Sequence, residues 1–253
     1  MLCCYFVFPN SHTVSNTTQR IRAKLDQLPP GQPVSYADFV REPSEFGAVA
    51  AALSRLSRAG ELVRLAKGRY YRPAQSRFGP VPPTEAAVVS AVGAAPGEPA
   101  AYPTGLAVYN ALGLTTQVPA TLTVATTRPR RRLPARLRAV VRPAPEQASD
   151  VPLLQWLDVL RDVRRIPDTT PARVVARITE ELRRLPAAAR RRLTILACRQ
   201  APPRARALLG ALLENLPDAT GAAKLRATLN PLTTYRLGLS TEALPNRTTW
   251  NIQ

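Results

Sequence analysis

The sequence predicts an α+β protein, rich in helix, with a small N-terminal unit followed by a larger α+β C-terminal one. Three observations carry that reading. Residues 16–73 run through three short helical patterns into a tight hairpin signal. Residues 77–83 hold Gly79-Pro80 and Pro82-Pro83, a cluster that breaks regular structure. The remainder places two β-rich runs ahead of a long succession of helical segments. With 253 residues, 45% of them hydrophobic, the chain can bury a core in each of two domains of ordinary size. The expected divisions are 1–13 as an extension preceding the first fold signal, 14–76 as the first domain, 77–83 as a linker and 84–253 as the second domain.

In the first domain, Asn16 followed three residues later by Gln19 reads as a capping box, and Ile21, Leu25 and Leu28 then share a helical face until Pro29-Pro30-Gly31 stops it. Ser35 caps a short second helix through Phe39 and Val40, and Glu42-Pro43 turns the chain into a third helix from about Ser44 to residue 59. Phe46, Val49, Leu53 and Leu56 fall in one apolar sector of that helix. Gly60 ends it. Two strands follow, Leu62 to Ala66 and Arg69 to Arg72, joined at Lys67-Gly68, where glycine supplies the positive φ of a two-residue turn. This order of elements describes a winged helix-turn-helix.

The other face of the third helix carries Ser44, Gly47, Ala48, Ala51, Ser54, Arg55 and Arg58. Small side chains there let a partner approach the backbone, and guanidiniums can grip phosphates or guanine edges. Lys67 and Arg69 put positive charge on the wing. The expected partner is double-stranded DNA, with these nine residues as its contacts.

Beyond the linker, residues 84–93 look helical and Thr104 is expected to cap a short helix, Gly105 to Leu112. Leu122 to Ala125 and Leu137 to Val141 should pair around the loop Arg128-Pro129-Arg130-Arg131-Arg132-Leu133-Pro134 as a hairpin. Arg130, Arg131 and Arg132 at its tip offer a second anion-binding loop, or a solvated turn. Helices are expected near 151–164, 171–185, 187–199, 202–215 and 221–229. Trp156 shares a helical face with Leu153, Leu157 and Leu160 and belongs to the core, and Trp250 should pack the tail down. Arg190-Arg191-Arg192 opposes the dipole at a helix start, which a nearby acidic group or an external anion would relieve.

The formal net charge is +18 with a pI near 11.2, a balance that attracts polyanions. Lys24, Lys67 and Lys224 are the only lysines; arginine abundance beside alanine and proline follows GC-rich coding, so position weighs more than the total. Cys3, Cys4 and Cys198 have neither disulfide-framework nor zinc spacing, and a reducing cytoplasm is expected, with no metal or cofactor. Leu2 to Phe8 is too short to span a bilayer. Catalysis is not expected. The single histidine, His12, precedes the first fold signal, and no phosphate-cradling glycine loop occurs. Glu180-Glu181 beside Arg183 and Arg184, and Asp158 and Asp162 beside Arg161 and Arg165, read as solvated helix-surface pairs.

The run Gly60-Glu61-Leu62-Val63-Arg64-Leu65-Ala66-Lys67-Gly68-Arg69-Tyr70-Tyr71 resembles the N-terminal region of AbiEi-like antitoxins of type IV toxin–antitoxin systems. Pro103-Thr104-Gly105 with Asn110-Ala111-Leu112-Gly113-Leu114-Thr115-Thr116-Gln117-Val118-Pro119 is similar to the core block of that group. Arg206-Ala207-Leu208-Leu209-Gly210-Ala211, Leu229-Asn230-Pro231 and Trp250-Asn251-Ile252 are similar to the C-terminal block of one of its branches. The resemblance implies an antitoxin that represses its own operon through the winged helix and counters a nucleotidyltransferase-like toxin through the C-terminal region, with or without a stable complex. A stand-alone regulator whose C-terminal domain senses a ligand or dimerises is a second reading these residues allow, and a purely protein-binding scaffold a third.

Overall fold

The computed structural model describes residues 11–66, 68–77, 79–81, 83–93, 101–129, 133, 136–216 and 220–253. It is a mixed helix-and-sheet protein that divides into two compact units, Met1–Glu98 and Pro99–Gln253.

The first unit opens with α1 (Ser11–Asp26), which starts five residues before the expected cap at Asn16. No glycine or proline interrupts Ser11 to Asn16, and a helix once nucleated extends through such residues at little cost, so the Asn16–Gln19 spacing is merely helix interior. A strand absent from the sequence reading follows: β1 (Pro33–Ser35) pairs antiparallel with β3 (Arg69–Tyr71). Ser35 does cap the next turn, with Asp38 closing the capping box, but Tyr36–Asp38 is a single 3-10 turn. A second 3-10 turn, Pro43–Glu45, leads into α2 (Phe46–Arg58).

Helix α2 packs Val49, Ala52, Leu53 and Leu56 into a core with Ile21 and Leu25 of α1, Val34, Phe39, Leu62 and Tyr70. Phe46 departs from the expected apolar sector: it is 52% exposed and meets the Tyr36 ring edge-on, with ring centroids 5.2 Å apart. As the first residue of α2 it lies a full turn before the buried stripe begins, where the helix has not yet reached the core. Strand β2 (Val63–Ala66) completes the sheet in the order β1-β3-β2, with a register shift between Arg64 and Ala66 just before the turn.

Residues 79–81 of the expected linker form a strand. β4 (Ala74–Ser76) and β5 (Gly79–Val81) form an antiparallel pair with Ser76 opposite Gly79, and Pro80, lacking an N–H, is tolerated because a two-stranded ribbon has only edges. Helix α3 (Glu85–Gly93) then packs on β1 and β2, with Val88 against Leu65 and Tyr71, so residues 84–93 belong to the first unit and not the second. The boundary falls at Glu98–Pro99.

The second unit begins with β6 (Tyr102–Thr104), α4 (Leu106–Ala111), β7 (Leu122–Thr126) and β8 (Leu137–Val141). Thr104 is not a helix cap. It is the last residue of β6, opposite Thr123, and Gly105 at φ 72° makes the corner into α4. Strands β7 and β8 do pair, but parallel, with Leu122 opposite Leu137 and Thr126 opposite Val141, which overturns the hairpin. A five-residue strand asks the connection to return roughly 16 Å, and the intervening segment, at roughly 3.3 Å per extended residue, reaches twice that.

Helices α5 (Val151–Asp162), α6 (Pro171–Arg184), α7 (Ala187–Gln200), α8 (Pro203–Glu214) and α9 (Thr220–Arg226) follow the expected order. Proline at the first turn of α6 and α8 fits there because those N–H groups lack helical partners anyway. Trp156, Leu157 and Leu160 of α5 join Leu193 and Leu196 of α7 and Leu208 and Leu212 of α8 in one buried cluster, as the periodicity of 151–164 predicted for Trp156. The tail closes on the helices. Tyr235 N–H donates to Asn251 O and Gln253 N–H to Tyr235 O, at 2.7 and 2.9 Å. Trp250 is buried, donates its indole N–H to Glu214 at 2.8 Å, and lies under the Arg226 guanidinium, 4.4 Å from the ring centre. A β-carbon on Gly210 would stand 2.2 Å from that ring, which is why α8 has no side chain there. Among the described residues no helix is long and apolar enough to cross a membrane.

Candidate nucleic-acid interface

The core holds α2 so that its opposite side faces solvent. Ser44, Gly47, Ala51, Arg55 and Arg58 are exposed, with Ala48 and Ser54 half-buried beside them. Open space surrounds the position where a Gly47 side chain would be, so a flat or convex partner could come against the helix backbone there. The turn before the helix is fixed from behind: Arg20 of α1 holds both oxygens of Glu45, at 2.9 and 3.0 Å, and the Arg41 N–H donates to the same carboxylate at 3.1 Å. Those hydrogen bonds, Arg20 first, push the Glu45 carboxyl below its ordinary range.

Which guanidiniums remain for an anion is decided by what each already touches. Arg20 is paired with Glu45, Arg22 with Glu61 and Arg72 with Asp26. Arg55, expected to point freely outward, instead donates to the Thr18 hydroxyl of α1 at 3.0 Å; a hydroxyl orients the guanidinium but leaves its charge intact. Arg58, at the last turn of α2, has no hydrogen-bond or ion-pair partner among the described residues. Arg69 is half-buried at the start of β3. Lys67 lies outside the described residues, as do Arg130, Arg131 and Arg132 of the expected second anion-binding loop.

The turn itself is legible in its glycine. Ala66 pairs with Arg69 across two residues, and Gly68 takes φ 73°. A β-carbon at Gly68 would also stand 2.6 Å from the Tyr36 ring, so the residue is glycine both for its backbone and for the aromatic packed against it. Tyr36 in turn tilts against Tyr70, whose hydroxyl is held above its ordinary pKa chiefly by burial. Tyr36 thus links the turn, the sheet and Phe46 at the start of α2. Sequence reasoning missed that role, because the partners lie ten or more residues away.

In the second unit the carboxylates read as solvated pairs are mostly structural. Asp158 is 2% exposed; it accepts from Thr104 Oγ1 at 2.6 Å and Arg142 Nε at 2.9 Å, with Arg161 Nε at 3.6 Å. Asp162 accepts from the Tyr109 hydroxyl at 2.8 Å, and burial together with that carboxylate drives the Tyr109 pKa far upward. Asp158 points toward the β-strands, since α5 packs on β6 along this side, and Asp162 toward α4. Glu180 and Glu181 pair with Arg177, one turn earlier, rather than with Arg183 and Arg184. Arg192 resolves the dipole conflict at the start of α7 internally: its Nε and Nη2 clamp the fully buried Asp150 at 2.8 and 2.7 Å, and Glu146 bridges Arg192 and Arg199. Arg190 donates from Nη1 to the Leu182 and Leu185 carbonyls. No group of three or more His, Cys, Asp or Glu suited to a metal ion occurs among the described residues.

Comparison with known proteins gives two likenesses. No curated protein matches the chain in sequence. The crystal structure of the RV2827C protein from Mycobacterium tuberculosis superimposes with a TM-score of 0.52 over 88% of this chain and 85% of that one, at 17% identity, a likeness of fold alone. Residues 20–140, from α1 through most of β8, are similar to DUF6088, a family of unknown function.

Proposed function

We propose that the chain is a cytoplasmic DNA-binding regulator whose first unit works as a winged helix-turn-helix, with α2 as the recognition helix and the β2–β3 turn as its wing. The observation that carries this reading is the outer face of α2: exposed Gly47 and Ala51 leave the backbone approachable, and Arg55 and Arg58 flank it with charge that no carboxylate neutralises among the described residues. A helix of this width fits the major groove, where guanidiniums read guanine edges or grip phosphates. On the resemblance of residues 60–71, 103–119, 206–211, 229–231 and 250–252 to AbiEi-like antitoxins, the regulated operon is its own and the second unit counters a nucleotidyltransferase-like toxin.

The test of the DNA reading is a gel-shift titration of the full chain on its own promoter at several salt concentrations. Arg58→Ala should weaken binding, and if the side chain meets a phosphate the log–log salt slope should fall by about 0.9. A base contact would instead relax sequence preference. Unchanged affinity in Arg55→Ala/Arg58→Ala would remove α2 as the reading face. The antitoxin reading is tested by co-expression with a neighbouring nucleotidyltransferase gene: growth rescue is the expected result, and toxicity unaltered by this chain overturns it.

A further inference from the structure

We propose that the second unit contains a binding site for a small phosphorylated ligand, inorganic phosphate or a nucleotide, in the cavity between the C-terminal end of α5, the first turn of α8 and Arg236-Leu237. This cavity, of about 250 Å³, is lined by Arg161, Arg164, Arg165, Arg204 and Arg236 together with Val163 and Leu237, and by no acidic side chain. The assignment is independent of DNA binding through α2.

Three facts separate this cluster from solvated surface charge. First, three of its guanidiniums are oriented by the fold. Arg164 donates to the Arg236 carbonyl at 3.1 Å, Arg204 to the Arg161 carbonyl at 3.0 Å, and Arg161 to the Gln200 carbonyl at 3.2 Å. Carbonyl acceptors fix direction without supplying a countercharge. Second, Arg192 has Asp150 and Arg142 has Asp158, whereas Arg164, Arg165, Arg204 and Arg236 have no ion pair among the described residues. Arg161 alone shares Asp158, at 3.6 Å. Third, the helix dipoles do not account for the arrangement. Cations near the end of α5 are favourable, but Arg204 stands in the first turn of α8, the end that disfavours them, and that turn holds no acidic residue. An anion between the two helix ends would satisfy both α8 and the arginines.

The volume is below the roughly 300–1,000 Å³ of sites that engulf a whole drug-sized ligand, so it suits a phosphoryl group, with any nucleoside extending outward. Dense positive charge in a small space also favours a doubly charged terminal phosphate over the singly charged links of a nucleic-acid backbone.

Binding to the full chain is measured by titration calorimetry at fixed ionic strength, with inorganic phosphate, ATP and a 5′-hydroxyl trinucleotide as probes and chloride as the reference. Phosphate or ATP should bind above the chloride background, and tighter ATP would identify a nucleotide while equal binding would identify free phosphate. Arg165→Gln/Arg236→Gln removes two exposed guanidiniums that make no hydrogen bond among the described residues, so the fold should stand. It should weaken binding by about tenfold per guanidinium. Arg204→Gln provides a second variant with the same expectation. Binding no stronger than chloride for every probe, or unchanged by both variants, overturns the site. So does a trinucleotide that binds as tightly as ATP and is lost in the same variants, since that would make the cavity a nucleic-acid contact.

Discussion

Replacing Asp158 by alanine tests whether α5 and the β6–β7–β8 sheet are held together by a buried charge. The carboxylate is 2% exposed and serves three donors, Thr104 Oγ1 at 2.6 Å, Arg142 Nε at 2.9 Å and, more distantly, Arg161 Nε at 3.6 Å. Removing one member of a buried ion pair costs about 3–5 kcal/mol, because the partner is left charged without compensation. Here the Arg142 side chain keeps 20% exposure, and water can partly resolvate it, which places the expected loss near the lower bound, about 3 kcal/mol. The two tryptophans, Trp156 and Trp250, both lie in the second unit, so their fluorescence during urea unfolding follows this unit alone. Asp158→Asn, which keeps an acceptor for Thr104 but not the charge, should lose less than the alanine variant. Asp158→Leu/Arg142→Met, which removes both charges, should recover much of the loss. A fluorescence midpoint in Asp158→Ala within about 1 kcal/mol of the unaltered chain would refute the buried-pair account and return Asp158 to the solvated class.

Two further perturbations address the same unit. Hydrogen bonding from Arg192 holds the Asp150 carboxyl at about 2, against an ordinary value of 3.8. A carboxyl depressed by folding contributes stability that is complete above the unfolded pKa and is lost as pH falls through the folded one, so this contribution should disappear between about pH 4 and pH 2. Arg192→Gln should therefore raise the acid midpoint of the fluorescence transition, and an unmoved midpoint would contradict the assignment. Gly210→Ala places a β-carbon 2.2 Å from the Trp250 ring, and the ring must give way at a cost of about 1–3 kcal/mol, as for other overpacked cores. Red-shifted emission with a lower melting temperature is expected, and native emission with unchanged stability would show that the tail is not seated as described.

What the sequence determined by itself is local. Proline at helix starts, glycine after helix ends, and the 3.6-residue spacing of Leu153, Trp156, Leu157 and Leu160 act within a turn or two of chain, so the helices of the second unit and the positive φ of Gly68 ahead of β3 were legible in order and nearly in extent. The small-residue face of α2 was legible for the same reason, since it is the complement of the buried stripe. Tertiary structure decided what depends on residues distant in sequence. Strand β1 exists because β3, more than thirty residues later, offers it a ladder, and three residues carry too little pattern to announce that. The parallel pairing of β7 and β8 needed the position of the whole sheet. Charge behaved likewise: spacing made Asp158 look like a partner of Arg161 on a wet helix surface, whereas its principal partners are Thr104 and Arg142, on the strand side. Coulomb energy depends on distance and burial rather than on sequence separation, and only the folded chain distinguished the arginines bound to carboxylates from Arg164, Arg165, Arg204 and Arg236 around the α5–α8 cavity, which have no ion pair among the described residues.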